Sequence, residues 1–305
     1  MKRSLLFAAA LLACAPAFAG ELFLWSVQGP KATHYLAGSV HMLPASAYPL
    51  PGPLDEAYLD AEDVVFESDL SALSTPDLQA QMLGSAREQR EGGLPAHLKP
   101  ELYKRMRKYA AQIGLPEESC DAFRAWFCAL TLEQFSLQSA GFEAQYGLDQ
   151  HFFARAADDN KAVAWLESPQ FQVQLLTGLD DTLGAELLAA TLEGETGATE
   201  APAEMLRIWN EGDAAVLEKQ LLDIRKHHPQ IYARLYADRN RTWLPDLGRR
   251  FRGERHALVI VGIDHLLGPD GLVKRLAAEG FKVKRVAASA PALAAPPAAD
   301  AAAPR

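Results

Sequence analysis

Short apolar runs alternate along this chain with longer stretches whose apolar positions recur at helical spacing. The runs Leu22–Val27 and His34–Val40 flank the polar segment Gln28–Lys31, which predicts a β-hairpin. Four further runs also have the length and composition of strands. They are Asp63–Glu67, Lys161–Glu167, His256–Val261 and Phe281–Val286, the first two predicted as buried strands.

Helical blocks separate these predicted strands. One block runs, with breaks, from Pro76 to about Asn160, and a second runs from Pro169 to Arg252. A shorter helix is predicted over Pro269–Glu279. Because strands alternate with helical segments, the pattern favours an α/β fold with a mainly parallel sheet. The large helical insertions are expected to lie over the strand ends, where they could shape a cleft.

Two of the predicted strands end in the same local pattern, Gly-x-x-His. Gly38 leads to His41, and Gly262 leads to His265. Ligands of open α/β sheets bind beyond the carboxyl ends of strands, and imidazole is the commonest metal ligand in proteins. For one histidine alone, a hydrogen bond to a loop carbonyl is the more ordinary role. The repetition favours a shared site, so we expect the two histidines to converge on one cleft and to bind a metal ion.

Two other predicted strands each end in a carboxylate. Glu67 follows Val64–Phe66, and Glu167 follows Val163–Leu166. A buried carboxylate is costly unless it is paired or coordinated. Glu67 is therefore a candidate metal ligand or general base, with a solvated strand end as the alternative. Glu167 is a candidate general base, although a role in capping the helix that begins at Pro169 is the stronger alternative.

Arg239 and Asn240 lie late in a helical segment that has one apolar face. The guanidinium could bind a substrate carboxylate or stabilise an oxyanion. By pattern alone, a solvated basic helix face is the simpler interpretation of Arg239. Asp149 is expected to cap a helix, and Asp264 either orients an imidazole or caps its own loop.

The amino terminus predicts a cleaved signal peptide at residues 1–19. Lys2 and Arg3 precede an apolar stretch, and Ala17-Phe18-Ala19 offers a small-x-small cleavage site. This predicts an exported protein, either periplasmic or secreted. The alternative is a lipoprotein anchored through Cys14, because Leu11-Leu12-Ala13-Cys14 resembles a lipoprotein box.

The rest of the chain is predicted to contain one domain, residues 20–286, and a tail. The tail, residues 287–305, is almost entirely Ala and Pro, which predicts disorder. The formal net charge of −9 becomes −11 without Lys2 and Arg3, which argues against a nucleic-acid partner. No other apolar run reaches the length of a membrane span. These observations leave a peptide or small-molecule substrate open and do not select between them.

Cys120 and Cys128 are the cysteines that remain after cleavage. An exported protein could pair them, but both fall within Glu117–Leu137, which is predicted as one helix. Eight residues of helix rise about 12 Å, beyond the roughly 7 Å between Cα atoms that a disulfide allows. Two buried thiols are expected, unless the helix begins after Cys120.

The ordered set of motifs resembles the TraB/PrgY/GumN family, which includes the animal TIKI proteases. The resemblance extends from about Leu22 to Val286. Its marks are Gly38–His41, Glu67, Gly147-Leu148-Asp149, Leu166-Glu167 with Gln170, Trp209 before Gly212-Asp213, Arg239-Asn240, and Val261-Gly262 with His265-Leu266, Gly268 and Gly271-Leu272. The chain departs from the family at Ala125, where many bacterial members have Pro, and at Asp238, which is often Glu. The sequence contains no HExxH, GxSxG, Walker or GxGxxG motif.

The resemblance implies a fold distantly related to the EreA erythromycin esterases and ChaN, with a mainly parallel sheet made of two βαβ-containing halves. Animal members are metal-dependent proteases that use both Gly-x-x-His motifs. The resemblance therefore implies an exported metal-dependent hydrolase, most simply a peptidase. His41, His265 and Glu67 would bind Mn, Co or Zn, of which the family suggests Mn or Co, and the donors alone do not select one.

In that hypothesis, Glu67 or Glu167 is the general base, and Arg239 and Asn240 stabilise the oxyanion or position the substrate. The alternative is a non-catalytic periplasmic binding protein that captures a peptide, a signal or a haem-like ligand in the same cleft.

Overall fold

The computed structural model describes residues 20–194 and 200–288. The predicted signal peptide and all but the first two residues of the predicted tail lie outside this range. Ala287 belongs to the last strand and the Ala288 amide donates to the Gly20 carbonyl. The folded domain therefore extends slightly beyond the predicted boundary at residue 286.

A six-stranded sheet, in the order β6-β4-β7-β2-β1-β8, is the centre of the fold. The strands are β1 (Glu21–Gln28), β2 (Thr33–Ser39), β3 (Leu43–Pro44), β4 (Asp63–Phe66), β5 (Phe142–Glu143), β6 (Ala162–Trp165), β7 (Ala257–Gly262) and β8 (Lys282–Ala287). β6, β4, β7 and β2 run parallel, whereas β1 is antiparallel to both of its neighbours. β3 and β5 pair separately. The predicted hairpin and the mainly parallel sheet are confirmed.

Helices fill the connections between the parallel strands. They are α1 (Gly52–Asp60), α2 (Leu70–Leu73), α3 (Pro76–Ala86), α4 (Gly93–His97), α5 (Pro100–Gln112), α6 (Ala125–Ser139), α7 (Leu148–Asp158), α8 (Pro169–Thr177), α9 (Asp181–Gly194), α10 (Glu200–Glu211), α11 (Ala214–His227), α12 (Pro229–Tyr232), α13 (Asp238–Arg250) and α14 (Leu272–Ala278). Several begin at a proline, whose fixed φ suits the first helical turn. Within the described ranges, no helix is long and apolar enough to cross a membrane.

The apolar residues form two cores. The larger core surrounds the sheet, where Val64 and Val65 of β4 and Leu258–Ile260 of β7 are buried. Strands buried on both faces need apolar residues at consecutive positions, which is the pattern that the sequence shows. The second core lies among the inserted helices around Trp126, Leu132 and Leu188. The insertions therefore carry an apolar core of their own.

β6 differs from its sequence-based prediction in its burial. It pairs only with β4 and forms an edge of the sheet, where Trp165 is 44% exposed. The prediction of a buried strand at Lys161–Glu167 was therefore wrong in its burial, although the strand exists. An apolar composition does not reveal whether a strand has one neighbour or two.

The expectation of two free thiols was also wrong. Cys120 and Cys128 form a disulfide, with their Cα atoms 5.4 Å apart. The reason is that α6 begins at Ala125, so Cys120 lies in the turns before the helix. The loop folds back and brings Cys120 to the first turns of α6, where both cysteines are buried. The pairing suits a protein of an oxidising compartment.

Replacing both cysteines by alanine is expected to lower the free energy of unfolding by about 2–3 kcal/mol. A cross-link over so short a segment removes a modest amount of entropy from the unfolded chain. Urea denaturation of wild type and the double variant measures the difference, with dithiothreitol added to each as the control. Equal stability of the two proteins without reductant would contradict the expectation.

Candidate functional site

Three strand ends bring the predicted metal ligands to one edge of the sheet. β2 leads to His41, β7 leads to His265 and β4 leads to Glu67. β7 lies between the other two strands and pairs in parallel with both, so the three carboxyl ends are adjacent. The structure therefore brings together the two histidines and the carboxylate that the sequence singles out.

Gly262 is the point around which these side chains meet. Its amide donates to Oε1 of Glu67 at 2.6 Å. A Cβ atom added to Gly262 would lie 3.2 Å from Glu67 Oε1, 3.6 Å from His265 Cδ2 and 3.8 Å from His41 Nε2. Glycine at this position lets all three side chains approach the backbone closely, which a side chain would obstruct.

His265 is buried, and hydrogen bonds at both ring nitrogens fix its orientation. Nδ1 lies 2.7 Å from Asn240 Oδ1, and Nε2 lies 2.9 Å from Nη1 of Arg239. Because a guanidinium only donates, Nε2 accepts and the proton is on Nδ1. Burial lowers the pKa of His265 to about 3, helped by Arg239 and His41 and opposed by Glu67. His265 is neutral at pH 7, and Asn240 rather than Asp264 orients it.

His41 is oriented by a carboxylate from another element. Its Nδ1 lies 2.6 Å from Oδ2 of Asp149, in the first turn of α7. The Leu148 amide donates to the Val40 carbonyl at 3.1 Å, which brings α7 against the strand end. This approach requires glycine at position 147, since a Cβ there would collide with the His41 carbonyl.

The carboxylate of Asp149 raises the pKa of His41. The His41 side chain is 66% exposed, so water screens part of this attraction. The bond at Nδ1 leaves Nε2 of His41 directed towards Glu67 and Gly262.

Arg239 joins the two candidate carboxylates. Its Nη2 lies 2.5 Å from Oε2 of Glu67 and 2.6 Å from Oε1 of Glu167. Trp243 Nε1 also donates to Glu167 at 3.0 Å. Arg239 is 9% exposed, so its interpretation as part of a solvated basic face was wrong. Arg241, two residues along the same helix, does have an exposed side chain.

The two carboxylates respond differently to their surroundings. Burial alone would raise the pKa of Glu67, but His265, Arg239, His41 and the Gly262 amide outweigh it and lower that pKa to about 2. Burial raises the pKa of Glu167, and the charge of Glu67 adds to this, while Arg239 opposes it. Glu67 is therefore the firmly ionised member of the pair at neutral pH.

A π-helical turn, Ala233–Ala237, directly precedes α13, the helix that carries Arg239 and Asn240. Single π-turns often occur at functional sites because they shift the side chains that follow. The ring of Tyr236, within this turn, packs edge-on against His265 with centroids 5.6 Å apart.

A cavity of about 260 Å³ opens beside the cluster. His41, Glu67 and Asp149 line it together with the serines Ser39 and Ser68. Its remaining walls are Phe66, Leu70, Leu73, Gln172 and Ile260 to Gly262. Glu167, Arg239 and Asn240 do not line this cavity. They lie behind Glu67 and His265 and support them.

The model of the TraB/PrgY/gumN family matches residues 23–285. This chain belongs to that family. The chain is also 24% identical over 265 residues to "Uncharacterized protein YbaP" of Shigella flexneri, which covers 85% of this chain and 95% of the relative. A protein of the same name from Escherichia coli (strain K12) is 24% identical over 264 residues, with the same coverage. No solved structure matches the chain significantly.

Within this TraB/PrgY/gumN family member, sequence reasoning missed the role of Asp149. The residue was expected to cap α7, and its side chain instead contacts His41. The sequence did contain an indication of this role, because Gly147-Leu148-Asp149 is one of the family motifs. A helix cap alone would not require all three residues. The pairing itself joins residues 108 positions apart and is visible only in the structure.

Replacing Asp149 by asparagine is expected to lower the pKa of His41 towards the ordinary value for histidine. The carboxylate favours the charged imidazolium, so its removal makes protonation less favourable, while asparagine keeps a hydrogen-bond acceptor. An NMR titration of the His41 ring protons measures the shift. Asp158→Asn, in the last turn of the same helix, is the control and should leave His41 unchanged. An unaltered His41 titration in Asp149→Asn would contradict the assignment.

Proposed function

We propose that this protein is an exported metal-dependent hydrolase of amide bonds, a peptidase, whose site is formed by His41, Glu67 and His265. The observation that carries the proposal is the meeting of two histidines and an ionised carboxylate around Gly262 at neighbouring strand ends. Each histidine has its Nδ1 bound to an oxygen, from Asp149 or Asn240. Metal-ligating histidines typically have such a partner, which leaves Nε2 for the ion.

The donor set fits a divalent transition metal. Imidazole nitrogens with one carboxylate oxygen suit Mn, Co or Zn. Among the described residues, no three such side chains are already arranged as a closed metal-binding group. At His265, Nε2 already accepts a hydrogen bond from Nη1 of Arg239. His41 Nε2 and Glu67 Oε1 are the accessible donors, and ligation through His265 requires Arg239 to release it.

A bound metal would supply Lewis acidity to polarise a carbonyl and lower the pKa of water. The chain's own residues prepare the site for this chemistry. Asp149 holds the Nδ1 proton of His41, so a proton on Nε2 is the one that must leave when a ligand binds. Asn240 holds the ring of His265 and keeps its proton on Nδ1. The Gly262 amide fixes Glu67 Oε1 beside both rings.

Arg239 and Glu167 lie outside the cavity and contact the site through Glu67. Glu167 accepts two hydrogen bonds from Arg239 and one from Trp243, so its oxygens are engaged away from the cavity. This favours Glu67 over Glu167 as the general base of the proposal. Arg239 pairs with both carboxylates and does not line the cavity, so in the proposal it positions Glu67 rather than contacting the oxyanion.

Export is part of the proposal. The sequence of residues 1–19 supports it, and the disulfide between Cys120 and Cys128 agrees with an oxidising compartment. Both the periplasm and the cell exterior meet this condition.

Calorimetric titration of Mn, Co and Zn into protein stripped with chelator tests the proposal, together with peptidase assays on a peptide library. We expect wild type to bind at least one of these metals and to hydrolyse peptides when loaded. His41→Ala and His265→Ala should each abolish both properties, because the two donors that remain hold the ion too weakly. His97→Ala, a surface histidine outside the cluster, is the matched control.

Equal metal affinity in wild type and in a His41→Ala/His265→Ala double variant would overturn the metal site. In that case, peptide binding without turnover would support a non-catalytic binding protein. An absorbance scan of protein purified without chelator adds a check, because a Soret band would indicate haem instead.

A further inference from the structure

We propose that the cavity beside His41 and Glu67 receives one large, uncharged, apolar side chain of the substrate, and that Ser68 hydrogen-bonds the substrate backbone there. The inference rests on the proposed function, because it names the peptide residue next to the scissile bond. The same cavity is lined by His41 and Glu67, two of the three residues of the proposed site, and by a separate set of apolar residues. One bound substrate residue would therefore contact both the site residues and the apolar residues.

The apolar wall of the cavity comes from two neighbouring strand ends and one short helix. Phe66 ends β4, Ile260 and Val261 lie in β7, and α2 contributes Leu70 and Leu73. An apolar cavity of about 150 Å³ is known to hold benzene, so about 260 Å³ accommodates a leucine or phenylalanine side chain. The α2 part of this wall follows Glu67 in the chain by three residues, so the position of Leu70 and Leu73 is coupled to that of Glu67.

α2 is held in place by its own cap. Oδ1 of Asp69 accepts hydrogen bonds from the amides of Ser71 and Ala72, at 3.0 and 3.2 Å. Such a cap fixes the start of a helix that is otherwise too short to be stable. Leu70 and Leu73 therefore form a fixed wall rather than a loose loop.

Charged substrate side chains would find no free counter-charge in this cavity. The charged residues that line it are His41, Glu67 and Asp149. Glu67 is already paired with Arg239, and Asp149 is paired with His41. Burying a further unpaired charge against Leu70 and Leu73 would be strongly unfavourable. The cavity therefore selects uncharged residues.

Ser68 is a polar residue of the cavity beside this apolar wall. It is 1% exposed, lines the cavity, and its Oγ has no hydrogen-bond partner among the described residues. Buried hydroxyls are normally hydrogen-bonded, and a hydroxyl can both donate and accept. Because Oγ is itself buried, the Ser68 side chain would turn towards an entering peptide group and hydrogen-bond its carbonyl or its amide.

The experiment measures binding of blocked tripeptides, acetyl-Gly-X-Gly-amide, by ligand-observed NMR in the presence of chelator. X is Leu, Phe, Ala, Glu or Lys. Chelator stops metal-dependent hydrolysis, so this binding result does not depend on activity. We expect X = Leu or Phe to bind wild type roughly tenfold or more tightly than Ala, Glu or Lys, as for other apolar pockets.

Leu73→Arg places a charge in the wall and should abolish the preference for Leu and Phe and improve binding of Glu. Leu222→Arg is the matched control, because Leu222 is a 49% exposed leucine outside the cavity. Ser68→Ala should weaken all five peptides by a similar factor and keep their order. It should not lower the melting temperature, since it removes a hydroxyl without a partner.

Equal binding of all five peptides, or a Leu preference that survives Leu73→Arg, would overturn the apolar pocket. A lower melting temperature with unchanged binding in Ser68→Ala would overturn the role of Ser68. A wild type that prefers Leu and Phe but hydrolyses no peptide when loaded with metal would leave the pocket standing and remove the proposed hydrolase. The two inferences can thus fail separately.

Discussion

Replacing Arg239 by alanine is expected to lower the free energy of unfolding by about 3–5 kcal/mol, the cost of breaking a buried ion pair by removing one partner. The substitution leaves Glu67 and Glu167 close together in a buried site without their shared cation. It also removes the donor to Nε2 of His265. Glu167 would become protonated first, because burial and the neighbouring Glu67 already raise its pKa.

Arg241→Ala is the matched control for this prediction. Arg241 lies on the same helix, and its side chain is 69% exposed in an ion pair with Asp238. A surface pair of this kind contributes about 0–1 kcal/mol. Chemical denaturation of the two variants and wild type measures the contrast. Similar stabilities of Arg239→Ala and Arg241→Ala would show that the buried network does not stabilise the fold.

Substituting glutamine for Glu67 is expected to abolish both metal binding and turnover in the proposed hydrolase. Glutamine keeps the size and an acceptor for the Gly262 amide but removes the charge and the basicity. Glu67 Oε1 is the carboxylate oxygen that faces both histidines around Gly262, which favours a direct ligand. If Glu67 were only a general base, turnover would fall by about 10²–10⁴ while the metal stayed bound.

Metal titration and peptidase assays on the same preparation separate these cases. Glu254→Gln is the control, because Glu254 is an exposed carboxylate paired with Lys31 and precedes β7, at the opposite end of that strand from the site. A Glu67→Gln protein with wild-type metal affinity and wild-type rate would refute both roles. Circular dichroism should show that the variant is folded, since Arg239 still pairs with Glu167.

The sequence by itself determined the sheet and the candidate site residues at its edge. The strands that carry Gly38 and Gly262 could be recognised because buried parallel strands need consecutive apolar residues. His41 and His265 follow those two strands and Glu67 follows β4, and chain direction alone places such residues at the same edge of a parallel sheet. The position of a residue relative to a strand end is a local property, so the sequence is sufficient to predict it.

The tertiary structure decided which partners those residues have. The sequence could not predict that Arg239 is buried, because its helix presents charged residues on several faces and only packing against Glu67 and Glu167 distinguishes one of them. Asp149 and Asn240 likewise reach the two histidines across long separations in the chain. Contacts between distant residues depend on how elements pack, which no local pattern encodes.

The disulfide and the exposed strand β6 also show which features the sequence predicts and which depend on tertiary packing. The pairing of Cys120 with Cys128 depended on where α6 begins, and helix boundaries are less well determined by sequence than helices themselves. The exposure of Trp165 depended on β6 having one neighbour instead of two. Composition determined that these elements form, because burial of apolar side chains drives them. Neighbours in space determined which groups are paired, buried or free, because each of those states requires a partner from elsewhere in the chain.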